Sequence, residues 1–250
     1  MYEAHALYIA SPDKTKLLEK SIGSLIKNGG IESKITAVIN SNFSNQKISL
    51  DGDVEIIEDE SHFKDHPPTR WFLDQKSEVC LFFDYDILVK SSLKKLVEIC
   101  RTEQRLCGVM VYDQPIDRDI LMRAFGDCGV DYEEDSATWF DDRQIPRCYN
   151  YGVLAVPQKI VKIVKDQLDT NIKIINETSK RLNSSELSYF TGQVALSITM
   201  RQLDIPTKDM PLRYNFPDCI PELDRKFPIE KNNMVCYHML TKKMPTQKFL

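Results

Sequence analysis

Two rhythms of apolar residues alternate along the first hundred positions. HALYIAS (5–11) is a short, nearly continuous apolar run, the pattern of a strand covered on both faces. Leu17, Leu18, Ile22, Leu25 and Ile26 follow at helical spacing and predict one apolar helix face. Ser11 as N-cap, Pro12 at the first helical position and the Gly29-Gly30 pair bound that helix. KITAVIN (34–40) and DVEIIED (53–59) read as further strands. PPTRWFLDQKS (67–77) leads into the strand EVCLFFD (78–84); SSLKKLVEIC (91–100) resumes the helical period and LCGVMVYD (106–113) returns to strand. Strands alternating with helices predict parallel pairing and a Rossmann-like α/β layer over 1–113.

Residues 114–146 change character. They are acidic and without clear period, and read as a long excursion or lid. RCYNYGVLAVP (147–157) is again a strand, helices are expected at about 158–180 and 186–203, and MPLRYNF and MVCYHML close the chain. No repeat, low-complexity tract or linker interrupts it, so one domain is expected over 1–250.

Composition narrows the function classes. With 42% hydrophobic and 28% charged residues among 250, the chain can bury a sizeable core. A net charge of -4 gives no general basic field, which argues against nonspecific nucleic-acid or anionic-membrane binding. No apolar stretch approaches the roughly 20 residues needed to span a bilayer. The opening MYEAHALYIASPDK carries Glu3 and His5 where a secretory signal carries basic residues, so a cytoplasmic protein is expected. Seven cysteines, without a CxxC pair, suggest small core residues rather than a disulfide framework or zinc ribbon.

Asp84 and Asp86 directly follow the apolar run VCLFF. In open α/β sheets, ligands bind beyond the carboxyl ends of the strands, and an extended chain sends both side chains the same way. Two hard oxygen donors suit Mg²⁺ or Mn²⁺ together with ligand phosphates. The plainer alternative is that Asp84 caps a turn and Asp86 is solvated.

The order of segments then adds meaning: VCLFFDYDILV, CYNYGVLAVP, GQVALSITM, PLRYNF and CYHMLTKK. Over roughly residues 5–245 this series resembles the glycogenin-like glycosyltransferases of GT-A fold. That family shows a DxD strand, an Asn-x-Gly strand, a helix with Asp-Gln, a Leu-Pro/Tyr-Asn strand, and a C-terminal His followed by Lys. The resemblance implies an α/β, Rossmann-like mixed sheet flanked by helices, with a nucleotide-binding half (1–113) and an acceptor-side half (114–250).

It also implies roles. Asp84, Asp86 and His238 become ligands of Mn²⁺ or Mg²⁺, with Tyr85 between the aspartates in contact with the donor. Asn150 and Gly152 line the sugar and acceptor pocket, and Gln193 positions the reacting sugar. Arg70, Lys242 and Lys243 contact the donor diphosphate. Tyr8, Ala10, Ser11 and Asp13, at the first strand's end, cradle base and ribose. Each has a structural alternative: His238 as a buried histidine, Asn150 and Gly152 as a strand bulge, Arg70 as an exposed helix-start residue, Ser11 and Asp13 as a helix cap.

Two departures stand out. Tyr151 occupies the centre of Asn-x-Gly, where the family often has Ser, and Gly192 stands where it has Asp. The family also lacks the spacing of HMLTKK, having a Gly between His and Lys.

The implied function is sugar transfer from a nucleoside-diphosphate sugar, UDP-sugar favoured, to a carbohydrate or protein acceptor, with retention. An inverting enzyme would need a carboxylate base, for which Asp113, Asp141 and Asp142 are available. Two rivals remain: a non-catalytic nucleotide-sugar-binding protein of the same fold, and a phosphatase. LFFDYDILV also resembles the first motif of haloacid-dehalogenase-like phosphatases, with Asp84 as nucleophile and Asp86 as acid/base.

Overall fold

A computed structural model describes residues 3–40, 53–59, 77–218 and 220–239. The first part runs β1 (Ala4–Ala10), α1 (Thr15–Asn28), β2 (Ser33–Asn40), β3 (Val54–Asp59), β4 (Val79–Asp84), β5 (Ile87–Val89), α2 (Lys94–Glu103) and β6 (Leu106–Met110). The excursion holds α3 (Arg118–Asp127), β7 (Ser136–Ala137) and β8 (Gln144–Ile145). The remainder runs β9 (Tyr149–Pro157), α4 (Gln158–Leu182), α5 (Ser185–Tyr189), α6 (Thr191–Gln202), β10 (Thr207–Asp209), β11 (Phe216–Pro217), α7 (Pro221–Lys226), α8 (Pro228–Asn232) and β12 (Cys236–His238).

Among the described residues the main sheet has the strand order β10-β6-β9-β4-β1-β2-β3. β1 to β4 pair in parallel, as the alternation of strand and helix predicts. β6 runs in the same direction as β4 but is not its neighbour, because β9 lies antiparallel between them, giving the mixed sheet that the resemblance implies. The reason is topological. The excursion after β6 returns to the sheet at the edge where β6 ended, so the next strand runs back the other way.

Side chains alternate between two cores. Tyr8, Leu81, Phe83 and Ala155 face Leu18, Ile22 and Leu25 of α1 and Leu96 and Val97 of α2. Leu7, Phe82, Leu154 and Val156 face Val164 and Leu168 of α4 and Leu196 of α6. Each large apolar side chain so buried contributes about 1.5–3 kcal/mol, which fixes the register of β1, β4 and β9 and hence the height at which their ends emerge.

Three local expectations are corrected. Ser11 does not cap α1: a 3-10 turn spans Pro12–Lys14, α1 starts without a side-chain cap, and Ser11 Oγ donates to Asp13 Oδ1 at 2.5 Å. The second late helix is broken at Phe190 into α5 and α6. The excursion is no featureless loop, since Leu121, Ala124 and Phe125 bury one face of α3 and β7 pairs with β8 as a hairpin. That hairpin's tip is tied to α7: Lys226 Nζ lies 2.8 Å from Asp142, and Trp139 meets Phe227 edge-on at 5.2 Å.

A small second sheet, β11-β12-β5, sits beside the main one. α1 holds β5 by three side chains. Ser21 Oγ donates to Ile87 O, Ser24 Oγ accepts from Val89 N at 2.8 Å, and Asn28 Nδ2 donates to Val89 O at 2.8 Å.

Candidate metal centre

The buried run of β4 ends at Asp84, level with Ile9 of β1. The chain does not stay extended there; it turns at Tyr85 and Asp86 before entering β5. The shared direction of the two carboxylates thus comes from a turn, not from strand pleating. β12 pairs antiparallel with β5, His238 opposite Ile87, and Met239 N donates to Asp86 O at 2.9 Å. This pairing brings the imidazole onto the aspartates. His238 Nε2 lies 3.3 Å from Asp86 Oδ1 and 3.9 Å from Asp84 Oδ2.

One ligand atom from each of Asp84, Asp86 and His238 lies within 4.8 Å of the others. Asp86 and His238 are buried, whereas the Asp84 side chain is 45% exposed. Asp86 Oδ1 is buried without a hydrogen-bond partner, a costly state for a carboxylate oxygen that a cation would relieve. Two carboxylates and one imidazole are a donor set that fits a divalent cation. Desolvation by the surrounding protein pushes the Asp84 carboxyl up even though part of the side chain meets solvent; His238 opposes the shift and Asp86 adds to it. An apolar pocket, partly open to solvent, is lined by Asp84, Tyr151, Leu7, Phe82, Leu168 and Leu196.

No protein-family model matches the chain, and no curated protein does. Solved structures do. The galactosyltransferase LgtC, crystallised with donor and acceptor sugar analogs, superposes with a TM-score of 0.61 at 14% identity, covering 98% of this chain and 90% of its own. Mouse xyloside xylosyltransferase 1, in its apo form, gives 0.53 at 10% identity, covering 96% of this chain and 99% of its own. The chain has the GT-A glycosyltransferase fold.

Asn150 and Gly152 of β9 lie against Asn215 and His238. Asn150 Oδ1 accepts from Gly152 N at 2.8 Å and from Asn215 Nδ2 at 2.8 Å. A Cβ on Gly152 would come within 2.7 Å of the Asn215 amide and 2.9 Å of His238 Nδ1. The missing side chain is therefore required by the closeness of His238 and Asn215.

Tyr151 and Gly192, both singled out in the sequence, touch each other. Tyr151 Oη donates to Gly192 O, and a Cβ on Gly192 would lie 3.0 Å from Tyr151 Cε2. A large residue at 151 and no side chain at 192 are complementary. Burial raises the Tyr151 hydroxyl, with smaller contributions from Cys148 and Asp84. Gln193 is half-buried in the first turn of α6, its carbonyl accepting from Cys148 Sγ.

Around β1, Tyr8 is wholly buried and stacks on Phe83 at 5.2 Å, so its ring offers no face to a base. Ala10 is buried, Ser11 half-buried and Asp13 exposed. Hydrogen bonds from Ser11 and then Lys14 lower the Asp13 carboxyl. Burial, then the charges of Asp86 and Asp84, push the Tyr85 hydroxyl up to about 12. Arg70, Lys242 and Lys243 lie outside the described residues.

Sequence reasoning assigned no role to Tyr112 or Asn215, both next to His238. Tyr112 Oη lies 3.3 Å from His238 Nδ1 and donates to Asn215 O at 2.5 Å. The available signal was position: Tyr112 follows the buried run of β6 as Asp84 ends that of β4.

Proposed function

We propose that the protein is a metal-dependent glycosyltransferase, moving a sugar from a nucleoside-diphosphate sugar, UDP-sugar first, to a carbohydrate or protein acceptor with retention. The observation that carries this reading is the convergence of Asp84, Asp86 and His238, with an unpartnered buried carboxylate oxygen, at the β4 end of a GT-A sheet. Asp84, Asp86 and His238 hold Mn²⁺ or Mg²⁺, which supplies Lewis-acid neutralisation of the leaving diphosphate. Arg70, Lys242 and Lys243 add positive charge to the same group, and Ser11 and Asp13 receive the ribose. Gln193 orients the sugar from the start of α6. The six described cysteines are buried free thiols, which suits a reducing compartment and supports a cytoplasmic site of action.

The test is calorimetric titration with UDP and GDP, with and without Mn²⁺, on the native protein and on Asp86→Ala. Metal-dependent binding of one nucleotide, lost in the variant, is the expected result. Binding of neither nucleotide under either condition would sink the reading. One observation favours a second reading, a non-catalytic binder of nucleotide sugars: the Tyr151 ring packs where Gly192 leaves no carboxylate. Nucleotide binding without product from any donor and acceptor pair would select it. The phosphatase alternative rested on LFFDYDILV alone. It does not explain the GT-A fold around that strand or the third group, His238.

A further inference from the structure

The imidazole of His238 faces different neighbours at its two ends. Nε2 points to the carboxylates of Asp86 and Asp84, at 3.3 and 3.9 Å. Nδ1 points to Tyr112 Oη, at 3.3 Å. A phenol carries one proton, and that of Tyr112 goes to the main-chain carbonyl of Asn215 at 2.5 Å. Toward His238 the hydroxyl therefore presents only lone pairs, and a hydrogen bond there needs the proton on Nδ1. We infer that Tyr112, held by Asn215, is a positioning residue that fixes His238 as the Nδ1–H tautomer and turns a bare Nε2 toward Asp84 and Asp86.

Three further observations fit this arrangement. Asp86 Oδ1 lies 3.3 Å from Nε2 and accepts no hydrogen bond. With Nε2 bare, lone pairs confront one another across that gap, an arrangement that a cation relieves. Asn215 is itself fixed, since its amide donates to Asn150 Oδ1 at 2.8 Å, the atom that also accepts from Gly152 N. Gly152 leaves room for both Asn215 and the ring edge carrying Nδ1. Asn150, Gly152, Asn215 and Tyr112 thus form a bed for the histidine, and the Asn-x-Gly segment acts here through His238.

The tautomer stands on the geometry above, while its use for metal rests on the proposed function. The experiment reads the two separately. Two-bond ¹H–¹⁵N NMR of the metal-free native protein at pH 8 reports which ring nitrogen carries the proton, His238 being assigned against His238→Gln among the chain's 4 histidines. A protonated Nδ1 and a bare Nε2 are expected. An Nε2–H tautomer or a doubly protonated ring in the native protein overturns the proposal.

Tyr112→Phe is expected to give mixed tautomers and about 10–100-fold weaker Mn²⁺ binding, read as free Mn²⁺ by electron paramagnetic resonance. An unchanged tautomer with unchanged affinity also overturns the proposal. If the native protein shows the Nδ1–H form, Tyr112→Phe loses it and neither binds Mn²⁺, the positioning role stands and the metal-dependent reading of the site falls.

Discussion

Gly152 shows how one residue's absence of side chain governs the centre. A methyl there must displace the Asn215 amide or the His238 ring, both buried. Gly152→Ala should cost about 1–3 kcal/mol and weaken Mn²⁺ binding, measured by denaturant midpoint and by calorimetry. Gly23 is the contrast: exposed inside α1, with nothing within 4 Å of a new Cβ. Gly23→Ala should stabilise by about 0.5–1 kcal/mol through helix propensity and leave metal binding unchanged. Equal losses in the two variants would mean that Gly152 has no special relation to the centre. The residue type was legible in the sequence, because Asn-x-Gly drew notice, but its partners were not. Asn215 and His238 lie more than sixty positions away, and no local pattern states which of them a strand glycine will meet.

At the scale of elements, periodicity was a good guide wherever burial was regular. β1, β2, β4 and β9 carry continuous apolar runs, and α1 a clean apolar face, because tertiary packing reinforces the local pattern. It failed at α3, whose buried Leu121, Ala124 and Phe125 are embedded in acidic surroundings, and at the break between α5 and α6. The hairpin tip was also unreadable, since its order comes from α7, some 80 residues later. Lys226 there donates to Trp139 O at 3.3 Å and Phe140 O at 3.4 Å besides pairing with Asp142. The pair is exposed, so Lys226→Ala should change global stability by less than about 1 kcal/mol while speeding amide exchange across residues 138–143. Unchanged exchange would show that Trp139 and Phe227 hold the tip unaided. β9 and α6 offer a coupled test. Gly192→Asp alone should destabilise, because its Cβ meets the Tyr151 ring. Combined with Tyr151→Ser it should cost less than the sum of the two single changes, with a coupling of about 0.5–3 kcal/mol in unfolding measurements. Simple additivity would refute the complementarity of the pair.

For the molecule as a whole, the centre is where distant parts of the chain are fastened together. Asp84 and Asp86 follow the middle strand of the sheet, and His238 lies on the last described strand, 154 positions beyond Asp84. A cation held by all three would bind the native state and not the unfolded chain, so it must stabilise the fold by mass action, by about 2.7 kcal/mol at a hundredfold excess over its dissociation constant. The midpoint of thermal unfolding should therefore climb with Mn²⁺ concentration. Asp86→Asn separates the metal effect from ordinary packing. It removes one ligand charge but also a buried carboxylate oxygen that has no hydrogen-bond partner, and an amide is the less costly group to bury. The variant should unfold in metal-free buffer at a temperature no lower than the native protein, yet gain nothing from Mn²⁺. A native midpoint indifferent to Mn²⁺ would show that the three side chains converge for structural reasons. A variant that is weaker without metal would show that the Asp86 carboxylate already stabilises His238 through charge, and that the unpartnered oxygen is no sign of a missing cation.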